Sequence, residues 1–404
     1  VLEGDGVEVT ATYFEKIKDA VTSSRTVDIE EIRSDPVGTY DIMTMMQALP
    51  SVVSGSDQSN EIIVRGGSHG ENLFVMDFLE IPYPNHYPEQ GKGGGPITMV
   101  DTEFIERIDF YAGAFPARYG EKLSSVMDVT LREGNIHSHH KQMDLNMAGF
   151  GFTFEGPLSP KSSYFYSLKR SFLDFVISST GMQAIPEYWS SQGKIAYHLS
   201  PTQKIYINFI GGIDKINIEG EDNPQLRGAE NVDYSSWQTT LGVTYKNLFS
   251  KKGYFQSSIG RSLVHLNTNV YELNDNPTRN YYYRNNDLES DYSFRSEVVY
   301  KLFDNVEISS GLSAKHVELD FDNWYKNNPT YIYGYSLSES EIPQLITKVK
   351  FDTTYFGKQY FYTIIDSVGT LDTLKTNALL EYNKVGGFFH FNLNPLQKGE
   401  ISIG

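Results

Sequence analysis

The sequence predicts an all-β membrane barrel, present in part, behind a small N-terminal α+β domain. Three observations carry this. Past about residue 140 polar and apolar residues alternate with a period of two. The connectors between those segments alternate between short and long. The hydropathy is modest although the chain holds 28 Tyr and 24 Phe. Only alternate residues of a barrel strand meet lipid, so low mean hydropathy with many aromatics fits such a barrel. A soluble all-β protein fits the composition as well.

The alternation decides for sheet over helix. Trp237, Leu241, Val243 and Tyr245 alternate with Gln238, Thr240, Gly242, Thr244 and Lys246. Tyr292, Phe294, Val298, Tyr300 and Leu302 oppose Ser293, Arg295, Glu297 and Lys301. Val306, Ile308, Leu312 and Ala314 repeat the pattern against Glu307, Ser309, Ser313 and Lys315. The short connectors are GPLSPKSS (156–163), SPTQK (200–204), SKKG (250–253), DN (304–305) and NPLQK (394–398). Long ones span about 174–188, 217–233, 273–287 and 321–373. Tight turns at one end and long loops at the other are the outer-membrane pattern, which a sandwich has no reason to follow. The 321–373 connection carries β-like runs and predicts an extended hairpin above the membrane. Tyr164, Tyr166, Tyr188, Trp189, Tyr254, Phe255 and Phe303 stand near strand ends, where interfacial girdles sit. From Asp144 the runs number about nine, and a tenth opens at GEISIG. Hydrocarbon tolerates no open sheet edge, so a fragment of a larger barrel is expected.

Residues 28–49 read as partly helical. Ile42, Met45, Met46 and Leu49 are spaced by three and four, and Pro50 closes the segment. The β units NEIIVRGG, NLFVMDFLEI, FIERIDFYAGAF and SSVMDVTLREG follow. The domain boundaries read as 1–26 for a leading segment and linker, 27–135 for the α+β domain and 136–404 for the barrel part.

Charge and composition exclude several classes. Lys and Arg total 34 against 51 Asp and Glu, a net of −17. Residues 1–135 alone hold 23 acidic and 10 basic residues, a surplus that reads as a solvated acidic surface. Nucleic-acid binding needs basic patches, so none is expected. No cysteine is present, which removes disulfides and thiolate sites. No signal-peptide pattern opens the chain, as expected of a mature N-terminus, and no apolar run approaches the ~18 residues of a membrane helix. HSHHK (137–141) lies in a linker, where a ligand cage is not expected, so no metal site and no cofactor are predicted. GKGGG (91–95) lacks the Lys-Ser/Thr ending and the strand-to-helix switch of a phosphate loop. No Ser/His/Asp set or paired carboxylates stand out, and no enzyme is predicted.

Two stretches carry a family resemblance. IIVRGGSHGENLFVMDFLEIPYPNH resembles the plug motif of TonB-dependent outer-membrane receptors, in which an I-x-x-R-G strand precedes a D-G-x-x-x-x-x-P strand and turn. Phe78 stands where that family usually has glycine, which leaves the form of the turn open. VDTEFIERIDFYAGAFPARYGEKLSSVMDVTLREG resembles the family's second signature, an IERI helix-to-strand unit followed by A-R-Y-G and a closing strand. The resemblance runs by motif to about residue 135 and by architecture beyond.

The resemblance implies a barrel of about 22 strands, wide enough for a plug, whereas ten strands could not enclose a domain with a radius of gyration of ~14 Å. It implies TonB-dependent active transport across the outer membrane, the plug gating the barrel. A plugged barrel serving as a scaffold without transport is the alternative. Implied partners are a TonB-type energy-coupling protein, outer-membrane lipid, an unidentified small ligand, and a lid lipoprotein or other envelope protein. Val7, Glu8, Val9, Thr10 and Ala11 match a Ton box loosely and would add a strand to the coupling protein. The last strand of a preceding domain is the other reading. Arg65, Glu106, Arg118, Arg132 and Glu133 are expected to pin the plug by ion pairs and backbone bonds, with Gly66, Gly67, Asp77 and Gly120 as structural residues of it. Tyr83, His86, Tyr87 and Glu89 are expected to face substrate at the plug apex.

Overall fold

The computed structural model describes residues 24–34, 41–54, 60–90, 95, 97–145, 149–171, 184–218, 231–273, 279–303, 305–327, 330–336, 351–355, 358–368, 372–396 and 399–403. The first part comprises β1 (Ser24–Asp28), α1 (Ile29–Ser34), α2 (Ile42–Gln47), β2 (Val52–Ser54), β3 (Ile62–Val64), β4 (Asn72–Met76), β5 (Leu79–Glu80), β6 (Ile105–Ala112) and β7 (Ser125–Leu131). Asp41 caps α2, its carboxylate accepting from Met43 N at 2.8 Å and Thr44 N at 3.2 Å. That satisfies amides left free at a helix start. Ile42, Met45 and Met46 are buried, as their spacing predicts. The IERI stretch differs from expectation. One 3-10 turn at Thr102–Phe104 precedes it, and IERI itself opens β6.

Five strands form a mixed sheet in the order β1-β6-β7-β4-β5, with β4 and β7 parallel. Its apolar face and the helices bury one cluster that includes Ile32, Met46, Phe74, Phe104, Ile108, Met127 and Leu131. Among the described residues, Phe165 and Ile210 join it from the second part of the chain. Phe104 and Phe165 stack with centroids 3.8 Å apart.

The second part comprises β8 (His140–Leu145), β9 (Gly149–Ser159), β10 (Ser162–Ser171), β11 (Ala184–Ser200), β12 (Gln203–Ile218), β13 (Asn231–Ser250), β14 (Gly253–Leu273), β15 (Arg279–Phe303) and β16 (Val306–Asn327). Then come β17 (Thr330–Ser336), β18 (Phe351–Tyr355), β19 (Lys358–Val368), β20 (Asp372–Leu396) and β21 (Gly399–Ile403). An eleven-stranded antiparallel meander runs from β8 to β16 and on to β20 and β21. The short connectors close as tight turns between paired strand ends, as at Ser250↔Gly253.

At the other end the strands run further than the sequence suggested. The polar stretch 274–287 was expected as loop, yet β15 starts at Arg279 and pairs with β14 up to Leu273. Its tyrosines favour pairing over loop. The 321–373 connection is likewise not a simple hairpin: β17, β19 and β18 form a separate three-stranded sheet.

Exposure along β13 decides between a soluble sandwich and a barrel. Leu241 is 52% exposed and Val243 44%, while Gln238, Thr240 and Thr244 are buried. A water-soluble sheet would show the reverse. Apolar-out, polar-in is the lipid-facing arrangement. Trp189, Tyr166 and Phe303 face outward as a girdle requires, but Tyr188 and Tyr254 are buried on the inner side.

Gly134 joins the two parts. A Cβ there would lie 2.1 Å from the Tyr164 carbonyl oxygen, a backbone atom that cannot step aside. Gly134→Ala is expected to displace the junction and cut the yield of folded protein several-fold, read by heat-modifiable migration on gels.

Candidate functional site

The inner faces of β9 to β20 meet the N-terminal domain through polar contacts. Near the tight turns, Arg132 reaches Glu155 on β9, with Nη1 donating to Oε2 at 2.6 Å and Nη2 to Oε1 at 3.3 Å. Its guanidinium also lies over the Phe104 ring, 5.1 Å from the centroid. Glu133 accepts from Lys204 Nζ at 2.8 Å and Tyr206 OH at 3.0 Å, and lies 2.6 Å from His198 Nε2. Burial pushes its carboxyl up, but the Lys204 and His198 contacts outweigh that and hold it at about 2.

One level higher, the β4–β5 turn presses on the wall. Asp77 pairs with Lys194 on β11 at 2.7 Å, both side chains buried. Lys194 also donates to the Leu131 carbonyl, and Asp77 Oδ1 accepts from Leu131 N. Asp77 and Phe78 both take positive φ, 49° and 72°. The turn therefore keeps a left-handed form although Phe78 carries a side chain, which costs about 1–2 kcal/mol. Wall contacts hold it there: Thr244 donates to the Asp77 carbonyl, Ser258 to the Phe78 carbonyl, and the Arg295 guanidinium lies over the Phe78 ring.

Above this turn lies a cavity of about 250 Å³ between the N-terminal domain and β15, β16 and β20. Its lining includes Glu80, Tyr83, Glu289, Asp291, Lys315 and Lys384. Lys315 pairs with Glu80 at 2.7 Å, Lys384 with Glu121 at 2.9 Å, and Tyr83 OH donates to Glu289 at 3.0 Å. Burial raises the Glu80 carboxyl, yet Lys315, Lys122 and Arg295 bring the net shift below its ordinary value. Beside the cavity, residues 84–88 lie against β12 and β13. His86 Nδ1 is 2.5 Å from Asp214 Oδ1, both fully buried, and Asp214 also accepts from Tyr87 N and Ser236 Oγ. The wall residue opposite is Gly212, where a Cβ would lie 2.7 Å from Met99 Sδ and 3.1 Å from His86 Cε1, so any larger residue would crowd this approach.

A domain plugging the inner side of a lipid-facing β wall narrows the family sharply, and comparison with known proteins agrees. Residues 16–125 match the family model "TonB-dependent Receptor Plug Domain". This region is a TonB-dependent receptor plug. The fold of the whole chain is similar to that of solved receptors of this family. Against the ferric enterobactin receptor PfeA of Pseudomonas aeruginosa the TM-score is 0.56 at 12% identity, over 95% of this chain and 61% of that one. Against the ferripyoverdine receptor of the outer membrane of P. aeruginosa it is 0.61 at 11%, over 94% and 50%. Against the RagAB peptide importer it is 0.55 at 10%, over 93% and 54%. The chain thus spans between half and two thirds of these relatives' length.

Of the residues expected to pin or shape the plug, Asp77, Arg132 and Glu133 make the wall contacts described, and Arg118 lies 3.7 Å from buried Glu297 on β15. Arg65 serves within the plug: its amide donates to the Ser51 carbonyl and its guanidinium covers Gly113. Gly66 takes a φ of 76° that a side chain would strain, and Gly67 sits against Ser124 Oγ with no room for a Cβ. Two of the expected residues make no such contact. Glu106 is exposed on β6 and makes no ion pair among the described residues, because the register shift between Ile105 and Arg107 leaves it as the extra residue of a bulge instead of on the face of Ile108. Gly120 has open space around its Cβ position, so no steric demand explains it.

Among the apex residues, Tyr83 lines the cavity, whereas His86 and Tyr87 are shut against the wall by Asp214 rather than facing solvent. Glu89 is exposed. Val7, Glu8, Val9, Thr10 and Ala11 lie outside the described residues. Glu80, Asp101 and Glu121 were not singled out by sequence; each is paired to a wall lysine, a link that no local pattern carries. Among the described residues no group of three or more His, Asp or Glu is arranged to hold a metal ion.

Two measurements check this interface. The folded Glu133 value lies below the ordinary one of 4.5, so its contribution is complete above about 4.5 and is lost as pH falls towards about 2. Hydrogen exchange at residues 131–135 is expected to quicken across that window, and Glu133→Gln to flatten the dependence. Lys194→Met leaves Asp77 buried without its cation, at a cost of about 3–5 kcal/mol. Adding Asp77→Asn should recover much of the loss in plug melting temperature.

Proposed function

We propose that the chain is the plug and adjoining barrel wall of a TonB-dependent transporter of the bacterial outer membrane. The tight turns would face the periplasm and the long connections the exterior. The observation that carries this reading is the cavity above the β4–β5 turn. The bonds that tie the plug to the wall there, Glu80–Lys315, Tyr83–Glu289 and Glu121–Lys384, all border it. A ligand that engages Glu289 or Lys315 competes with the plug for the same groups. Occupancy and plug position are thereby linked, as gating requires.

Glu289 and Asp291 on the wall, with Glu80 and Glu121 on the plug, favour a ligand with a cationic or neutral hydrogen-bonding face over a strongly anionic one. Peptides and metal chelates, the classes named for the similar receptors, are the first to try. Val7–Ala11 would pair as an added strand with a TonB-type protein, whose pull the plug would receive. Lipid would surround the outward apolar band, and a lid lipoprotein or other envelope protein would meet the long connections.

Uptake by cells expressing the complete protein tests this. Labelled peptide and ferric-chelate mixtures should accumulate only with TonB and a proton gradient, and deletion of residues 7–11 should abolish it. Envelope function that survives both the deletion and an uncoupler would favour the scaffold instead.

A further inference from the structure

A second concave site lies on the opposite face of the wall, far from the plug. Register places its residues. Asn267 pairs with Asn286, and Asn269 with Arg284. Arg284 pairs with Trp324, and Trp324 with Lys375. Directly opposed residues share a face. Arg284 and Asn286 continue the even-numbered series of Tyr292, Phe294 and Val298, so the row points outward. Arg284 stands four residues beyond Leu288 along β15, and Leu288 lies in the row that joins outward-facing Trp237 and Leu379. At about 3.3 Å per residue and the usual tilt, the groove sits about 10 Å above the top of the apolar band.

The upper ends of β14, β15, β16 and β20 curve there into a groove of about 650 Å³. Arg279, Arg284, Lys326 and Lys375 line it, with Asp322 the one carboxylate among its lining residues. Asp233 takes up Arg279 at 2.7 Å, and Asp322 lies 3.9 Å from Lys375. A cationic surplus remains, in a chain whose net charge is −17. The Arg284 guanidinium lies 3.6 Å from the centroid of the Tyr281 ring and 6.0 Å from that of Trp324. Asparagines and Thr373 complete the lining.

We infer that this groove binds the phosphorylated saccharide of an outer-leaflet glycolipid. Flat aromatic faces stack on sugar rings, asparagine amides donate to and accept from hydroxyls, and guanidinium and ammonium groups meet phosphate with charge-assisted bonds. The position supplies the occupant. A surface facing outward just above the lipid band lies among the headgroups of the surrounding leaflet, not in the path of a transported ligand. The inference rests on the outer-membrane reading proposed above.

The complete protein, extracted in detergent and stripped of bound lipid, should rebind lipopolysaccharide. Arg284→Ser with Lys375→Ser should weaken binding about tenfold, Trp324→Ala several-fold, and Lys375→Arg little. Phosphatase-treated lipopolysaccharide should bind the unaltered protein about as weakly as intact lipid binds the double variant. Equal retention by the double variant, or indifference to dephosphorylation, overturns the site. Detached core oligosaccharide binding as tightly as the whole lipid overturns the assignment to the membrane. Heat-modifiable migration and membrane fractionation of each variant report separately on barrel formation. A failure of the outer-membrane reading itself would therefore show in the unaltered protein.

Discussion

Lysines on the barrel wall grip carboxylates on the plug, and the rest of the structure is arranged around that fact. Lys169 meets Asp101, Lys194 meets Asp77, Lys204 meets Glu133, Lys315 meets Glu80 and Lys384 meets Glu121, at 2.7 to 3.0 Å. The cause lies in the strand period. A strand that gives its outward residues to lipid turns the alternate ones inward, and in a wide barrel those are polar. A domain seated against such a wall finds apolar partners at few points, such as Phe165 and Ile210. Elsewhere it presents charge and hydrogen bonds. The acidic surplus of residues 1–135 is that presentation in part, where composition alone suggests a solvated surface.

An interface built this way is separable. The plug keeps its own core, to which, among the described residues, the wall contributes Phe165 and Ile210. Its ties to the wall are hydrogen bonds and ion pairs, each with a net worth of about 1 kcal/mol where water can replace the partner. Lys194–Asp77 and His86–Asp214 are exceptions, since the side chains of both pairs are buried. Breaking Lys194–Asp77 without water entering leaves two unsolvated charges. The turn that carries Asp77 is also the one with two residues at positive φ, so the firmest tie and the most strained backbone coincide.

Much of this architecture is legible in the sequence because its causes are local. Alternation around Trp237 and Tyr292 gives the strands, the tight connectors give one end of the barrel, and the Ile42–Met46 spacing gives α2. The contacts that seat the plug are not local. Lys315 and Glu80 are 235 residues apart, and Lys384 and Glu121 are 263 apart. No period or motif links such pairs. The same limit explains His86. Set among prolines and tyrosines it reads as an apical loop residue, and only the folded wall brings Asp214 and the bare backbone of Gly212 against it. Tyr188 and Tyr254 fail as girdle residues for a simpler reason. Nearness to a strand end says nothing about which face a side chain takes, and both take the inner one.

The charge pattern of the wall also marks its own irregularity. Along β10, β11, β12, β16 and β20 the wall offers lysine to the plug. Its carboxylates are answered variously, Glu297 by Arg118, Glu155 by Arg132 and Asp214 by His86. Glu289 is answered by no cation among these contacts. It takes only the neutral Tyr83 hydroxyl, and Asp291 stands two residues along the same inner face, beside the cavity. Lys315 and Lys384 line the same cavity, but Glu80 and Glu121 of the plug already engage them. The wall cations here are thus spent on the plug, and the two wall carboxylates beside the open space are left to neutral partners and water.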